Sequence, residues 1–181
     1  MSKVNLLVGW ILIAGASAIS QTKTADVIKE ESSITYRIDH MFHHIEATSK
    51  DGWFRVEIDP AKKEIKSVSA QVDVMTFDSG NSNRDSHAME VVESIKYPDV
   101  TFTSTGVTQI ADSISVSGKL TFHGVTKDIL VKGAAQWSQN KLEMQGGFEI
   151  SMTAFKIERP SLLMVPVDDA IRFSLKVAFP L

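Results

Sequence analysis

From Ser33 to the C-terminus, apolar and polar residues alternate with a period of two, and almost no other pattern competes with it. Ile34, Tyr36, Ile38 and His40 interleave with Thr35, Arg37 and Asp39, and Phe54, Val56 and Ile58 with Arg55 and Glu57. The alternation continues through Val68, Ala70, Val72 and Val74, through Val100 and Phe102, and through Ile114, Val116, Gly118, Leu120 and Phe122. It returns at Ile129 and Val131, at Leu142, Met144, Gly146, Phe148, Ile150 and Met152, and most regularly at Ile171, Phe173, Leu175, Val177 and Phe179. Successive side chains of an extended strand point to opposite faces, so each of these eight runs reads as a strand with one apolar face.

Turn chemistry separates the runs. Asp51-Gly52 suits a tight hairpin, Asp59-Pro60 opens a turn, and His123-Gly124 and Gln139-Asn140 break the pattern. Gly146-Gly147 suggests a bulge or sharp bend inside the seventh run. One short helix is expected, from about Ser86 to Ile95, capped by Asn83 or Asp85.

A helix that short cannot cover eight one-sided strands. The sheet must cover itself, by closing into a barrel or by folding into a sandwich. The inward positions include no Lys, Arg, Asp or Glu, and their only titratable side chains are those of Tyr36 and His40. A barrel of about eight strands is either filled by its own side chains or hollow enough for one ligand. Gly118 and Gly146 subtract volume from the interior, and Met144 and Met152 offer an adaptable lining. The alternation alone leaves solid and hollow interiors both open.

The chain opens with Lys3 and an uncharged run from Val4 to Ile19, with Ala14, Ala16 and Ala18 near its end. This is the layout of a secretory signal peptide over residues 1–20, and the run is short for a membrane span. Residues 21–32 are expected to be a flexible lead-in, and 33–181 the barrel domain, working in the periplasm or as a secreted protein. The 181 residues carry no cysteine and a net charge of −3. Disulfides and thiolate sites are thereby excluded, and a nucleic-acid partner is disfavoured.

Four segments carry a family resemblance. They are Ser33-Ile34-Thr35-Tyr36-Arg37-Ile38-Asp39-His40 followed by Gly52-Trp53-Phe54; Asp78-Ser79-Gly80-Asn81-Ser82-Asn83-Arg84-Asp85-Ser86-His87; Lys96-Tyr97-Pro98-Asp99-Val100-Thr101-Phe102-Thr103-Ser104-Thr105; and Gly118-Lys119-Leu120-Thr121-Phe122-His123-Gly124-Val125-Thr126-Lys127. In this order and together they resemble the YceI-like proteins, polyisoprenoid-binding proteins of the bacterial periplasm. A fifth match, Phe155-Lys156-Ile157-Glu158-Arg159-Pro160, departs at Lys156, where the family often has a small residue.

The resemblance implies an all-β, extended antiparallel lipocalin-like barrel of about eight strands with one short helix, whose lumen holds a long isoprenoid or a similar amphiphile. The ligand could be an isoprenoid lipid or a quinone-like isoprenoid. The partner is then a lipid, with transient membrane contact and a monomeric or homodimeric state to be considered; no other cofactor is implied. By strand parity the proposed lining is Ile34, Tyr36 and Ile38, then Phe54, Val72 and Phe102, then Val116, Leu120 and Met144, and finally Phe148, Phe173 and Val177. The alternatives are a non-catalytic envelope stress or accessory protein with a solid barrel, and an envelope enzyme.

Polar residues sharpen this only in part. Arg84 and His87 are head-group candidates, since a guanidinium forks onto phosphate or carboxylate oxygens. Asn81, Asn83 and Asp85 are turn and cap residue types, and Arg84 could equally tie the loop to the barrel. His40, His43, His44, His87 and His123 lack a metal-ligand spacing, and adjacent histidines in a strand face opposite ways. No Gly-x-Ser-x-Gly elbow, phosphate loop or dinucleotide fingerprint occurs, so no catalytic residue is assigned. Leu162-Leu163-Met164-Val165, between Pro160 and Pro166, reads as a lid, a membrane-touching patch or a plug packed on the barrel end.

Overall fold

The computed structural model describes residues 21–162 and 164–181; the expected signal peptide and Leu163 lie outside the described residues. Twelve strands run in chain order as β1 (Lys23–Asp26), β2 (Ser33–His40), β3 (His43–Ser49), β4 (Trp53–Asp59), β5 (Glu64–Asp73), β6 (Asp99–Ile110), β7 (Ser113–Phe122), β8 (Val125–Trp137), β9 (Lys141–Ser151), β10 (Ser161–Leu162), β11 (Val165–Pro166) and β12 (Ala170–Pro180). The helix α1 spans Ser82–Val91. Ten strands form one antiparallel sheet in the order β1-β4-β5-β6-β7-β8-β9-β12-β2-β3, and β10 pairs with β11 in a small hairpin.

This is the expected all-β, lipocalin-like barrel: a long sheet curled so that its apolar face turns inward. All eight expected runs are strands, and two more, β1 and β3, form the ends of the sheet. β1 lies in the stretch 21–32 expected to be flexible; its four residues pair with β4 from Lys23↔Ile58 to Asp26↔Arg55. Only Ala25 of β1 is buried, too short an alternation to register as a pattern. β3 was hidden because Ile45 and Ala47 are its only apolar residues.

The extra strands change how Asp51-Gly52 is used. β3 and β4 are consecutive in sequence but stand near opposite ends of the sheet, so this link crosses from one end to the other and is not a hairpin turn. The edge of β3 is met instead by the chain leading to α1, through Thr48 N–H to Asp78 O and Asp78 N–H to Thr48 O. The Asp59-Pro60 turn forms as expected, its carboxylate accepting from Lys62 N–H at 3.2 Å. His123 and Gly124 turn β7 into β8 with φ of 50° and 70°.

The inward glycines serve close packing, which corrects the expectation that they open space. A Cβ on Gly118 would meet the Phe102 ring at 2.4 Å, so Phe102 already fills that volume. Gly133 and Gly146 face each other in the register, and a Cβ on Gly133 would lie 2.0 Å from Gln145 O. These residues let β8 and β9 approach where their ladder ends at Lys132↔Gly147. The expected bulge at Gly146-Gly147 is absent from the β9–β12 register; the described irregularities fall at Glu57/Ile58 and Ser104/Gly106.

Two apolar clusters divide the interior. One holds Val56, Ile58, Ala135, Leu142 and Phe179, all at 0% exposure, and closes one end. The other gathers Leu120, Phe122, Met152, Phe155, Ile157 and Val167 beneath α1. Tyr36, Phe102 and Phe173 pack against both.

Candidate functional site

Between these clusters lies a cavity of about 220 Å³, traced by the centre of a water-sized sphere. One buried water needs about 10–15 Å³ on that measure, so this is no packing defect. All the positions chosen by parity border it: Ile34, Tyr36 and Ile38 from β2, Phe54 from β4, Val72 from β5 and Phe102 from β6. Val116 and Leu120 from β7, Met144 and Phe148 from β9, and Phe173 and Val177 from β12 complete the set. Phe148 and Phe173 stack with centroids 4.8 Å apart and planes 14° apart, a flat aromatic wall contributed by paired strands.

The helix supplies what the alternation could not reveal. Ala88, Met89, Val91 and Val92 line the cavity, as do Ile45 of β3 and Phe77 of the link before α1. α1 begins four residues earlier than expected, at Ser82, with the Asn81 side chain accepting from Arg84 N–H at 3.1 Å. It ends at Val91 because Glu93 takes a left-handed φ of 48°. None of its residues is buried, which explains why no apolar periodicity announced its inner face.

Arg84 and His87, one turn apart on α1, also border the cavity. The surrounding polar residues organise the loop. Asp78 accepts from Gly80 N–H at 2.6 Å, and Asp85 from Ser79 N–H at 3.1 Å. The Arg84 guanidinium, by contrast, has no hydrogen bond or ion pair among the described residues, so it does not tie the loop to the barrel. His87 Nδ1 lies 3.7 Å from Glu90 Oε2. Tyr36 packs its ring 5.3 Å from Phe77. Burial pushes its phenol pKa above the ordinary value; the nearby Asp85 adds to this and Arg84 opposes it. Its hydroxyl therefore stays neutral and is a polar group in an otherwise apolar wall.

Of the remaining histidines, His40 and His123 have separate partners, and the His43 side chain lies outside what the structure describes. His40 is buried, with Nε2 3.1 Å from Val165 O, fixing the β10–β11 hairpin to the end of β2. His123 Nδ1 lies 3.1 Å from Phe155 O. His44 is exposed. Among the described residues no group of three or more His, Cys, Asp or Glu could hold a metal ion.

Loops crowd the α1 end. Arg159 donates to Val167 O, and Asp168 N–H to Asp39 O, so the chain from Pro160 onward is pinned to the barrel wall. Lys156 takes the left-handed φ of 59° that ends a short 3-10 turn, a conformation in which a small residue is less strained. Met164 is 96% exposed at the tip of the β10–β11 hairpin, and Met41 and Phe42, at the β2–β3 turn, are 73% and 64% exposed.

Comparison with known proteins agrees with this architecture. The YceI-like domain family matches residues 26–179. A UPF0312 protein of Pseudomonas savastanoi pv. phaseolicola is 25% identical over 182 residues, covering 95% of each chain. The crystal structure of Burkholderia cenocepacia BcnA superposes with a TM-score of 0.76 at 22% identity, covering 84% of this chain and 98% of that one. A polyisoprenoid binding domain from Saccharophagus degradans, implicated in plant cell wall breakdown, superposes with a TM-score of 0.67 at 13% identity, covering 87% of this chain and 97% of its own.

Proposed function

The chain belongs to the YceI-like domain family, and from that membership and its apolar cavity we propose that it binds a long-chain isoprenoid or similar amphiphilic lipid and carries or sequesters it without catalysis. The cavity is the observation that carries the reading: an interior lined mainly by Ile, Val, Leu, Met and Phe, with Arg84, His87 and Tyr36 among its few polar side chains. Each methylene moved from water into such a lining gains about 0.8 kcal/mol. Ordering the tail offsets part of that gain. No bond to the ligand is needed.

In this reading the tail lies along the lining residues of β2, β4 to β7, β9 and β12, and the head group stays at the α1 end. Arg84, without a hydrogen bond or ion pair among the described residues, offers a fork to phosphate, carboxylate or quinone oxygens, and His87 stands beside it. Met41, Phe42 and Met164 ring the same end, so brief contact with a membrane would let a lipid pass without crossing water. The signal-like residues 1–20 support export and action in the periplasm or outside the cell. No helix among the described residues is long and apolar enough to cross a membrane.

Native mass spectrometry of the purified chain, before and after mixing with a C40 polyprenol, tests the proposal. A co-purifying lipid or a one-to-one adduct is expected. Met144→Trp, which fills the lumen without burying a charge, should reduce the adduct at least tenfold while circular dichroism stays unchanged. Failure of the wild-type chain to take up the polyprenol, with no resident lipid, overturns the reading.

A further inference from the structure

The segment 82–97, formed by α1 and the turn after it, covers part of the cavity without burying a residue of the helix. Its polar side-chain connection to the barrel wall, among the described residues, is one pair: Glu93 Oε2 lies 2.8 Å from His123 Nε2. Both partners occupy backbone positions that ordinarily favour glycine or asparagine. Glu93 has φ 48° at the left-handed position following the helix, where Ser94 N–H closes onto Met89 O at 3.0 Å. His123 has φ 50° as the first residue of the tight β7–β8 turn. Two non-glycine residues in strained backbone therefore meet at the edge of the lid, and such strain marks a place worth interpreting.

The chemistry of the contact is asymmetric. His123 is only 8% exposed, and both its ring nitrogens face acceptors: Nδ1 the Phe155 carbonyl at 3.1 Å, and Nε2 the Glu93 carboxylate. The Glu93 carboxylate stands within ion-pair distance of Nε2, which has no hydrogen-bond partner among the described residues. A carbonyl and an ionised carboxylate accept but do not donate. A neutral imidazole has one N–H, which the Phe155 carbonyl can take; only the imidazolium also sets a positive charge against the carboxylate. The other groups around the ring do not supply the missing proton. Tyr97 presents its ring at 4.6 Å, and Lys96 sits over that ring, 3.7 Å from Glu93 Oε1. The adjoining β7 and β8 residues Phe122, Gly124 and Val125 are uncharged, and Lys156, following Phe155, is exposed.

We infer that Glu93 and His123 form a proton-controlled latch that holds α1 over the mouth of the lumen. With the ring doubly protonated, the lid is tied to the β7–β8 turn and, through Phe155, to the chain after β9. With the ring neutral and its one proton on Nδ1, the Nε2 lone pair confronts the carboxylate, the tie is lost and the lid opens more often. Its consequence for lipid exchange rests on the lumen reading above; the latch itself does not.

Hydrogen exchange of the full chain, corrected for the intrinsic pH dependence, tests it by comparing about pH 5 with about pH 8. Protection of 82–97 should fall about tenfold across that range while β7 stays constant, as expected for losing one charge-assisted contact. In Glu93→Gln, protection should be low at both values. Glu93→Gly relieves the left-handed backbone, so a purely conformational role predicts added protection, and the latch predicts a loss at pH 5. A wild-type pH profile that persists in Glu93→Gln overturns the proposal. In parallel, N-phenyl-1-naphthylamine bound in the lumen should leave faster at pH 8 than at pH 5. Equal rates overturn control of the mouth, and no uptake at either pH overturns the lumen reading while the exchange data still decide the latch.

Discussion

The two ends of the barrel are built on different principles. At the closed end, Val56, Ile58, Ala135, Leu142 and Phe179 lose all contact with water. The chain termini of the domain are stitched there too: Ile28 N–H to Ala178 O at 2.8 Å, Ala178 N–H to Ser32 Oγ at 3.0 Å and Leu181 N–H to Asn140 O at 2.9 Å. At the α1 end the helix buries no residue, and Met41, Phe42, Ile95 and Met164 stand more than half exposed. One end is thus held by fully buried side chains and stitched termini, whereas at the other α1 is itself only partly covered and lies over a separate buried cluster of Met152, Phe155 and Ile157.

The sharpest way to break that contrast is to truncate one side chain at each end. Phe179→Ala should cost about 3–5 kcal/mol, because a fully buried ring leaves a cavity that the stitched end cannot collapse. Met89→Ala, on α1, should cost less than about 1 kcal/mol, since its side chain is only partly buried. Urea unfolding of both variants decides the matter, and equal midpoints would erase the distinction. Next in size is Gly133→Ala. Its Cβ would lie 2.7 Å from Gly146 Cα, so β8 and β9 must separate, with an expected loss of about 1–3 kcal/mol, read by the same titration.

Phe42→Asp combined with Met164→Asp should leave stability within about 0.5 kcal/mol of the parent, as exposed positions do. Transfer of a polyprenol from phosphatidylcholine vesicles should nevertheless slow; an unchanged rate would remove the membrane contact from the proposal. The smallest effect belongs to Asp169, which ties the start of β12 to the end of β9. Hydrogen bonds from the Ser151 hydroxyl and then from Thr153 N–H hold its carboxyl below the ordinary value of 3.8. A lowered folded value contributes stability that is present above 3.8 and lost as pH falls through the depressed one. Asp169→Asn should therefore lower the thermal midpoint slightly near neutral pH, and the difference should vanish in acid as the wild-type carboxyl protonates.

The same contrast governs what could be read in advance. The closed end and the tunnel wall belong to long strands with strict alternation, so Phe54, Val116, Phe148 and Phe173 could be assigned to the interior by parity alone. The rest is made of short or irregular pieces. β1, beside the closed end, and β3 carry too few apolar residues to signal themselves, Asp51-Gly52 resembles a hairpin turn although it spans the sheet, and α1 lines the cavity with the partly covered Ala88, Met89, Val91 and Val92. Arg84 was visible as a candidate, but not its lack of a protein partner. The inward glycines correct the expectation because a missing side chain looks like empty space in a sequence, while at Gly118 the Phe102 ring occupies that space.

By itself, then, the sequence determined that this chain curls a sheet around an apolar interior, because period-two patterning is a local property that fixes which face of each strand avoids water. Only the tertiary structure decided that the interior holds a cavity, that α1 lines part of it and that Glu93 meets His123. Those outcomes depend on distances between residues far apart in the chain, and no local pattern encodes a distance.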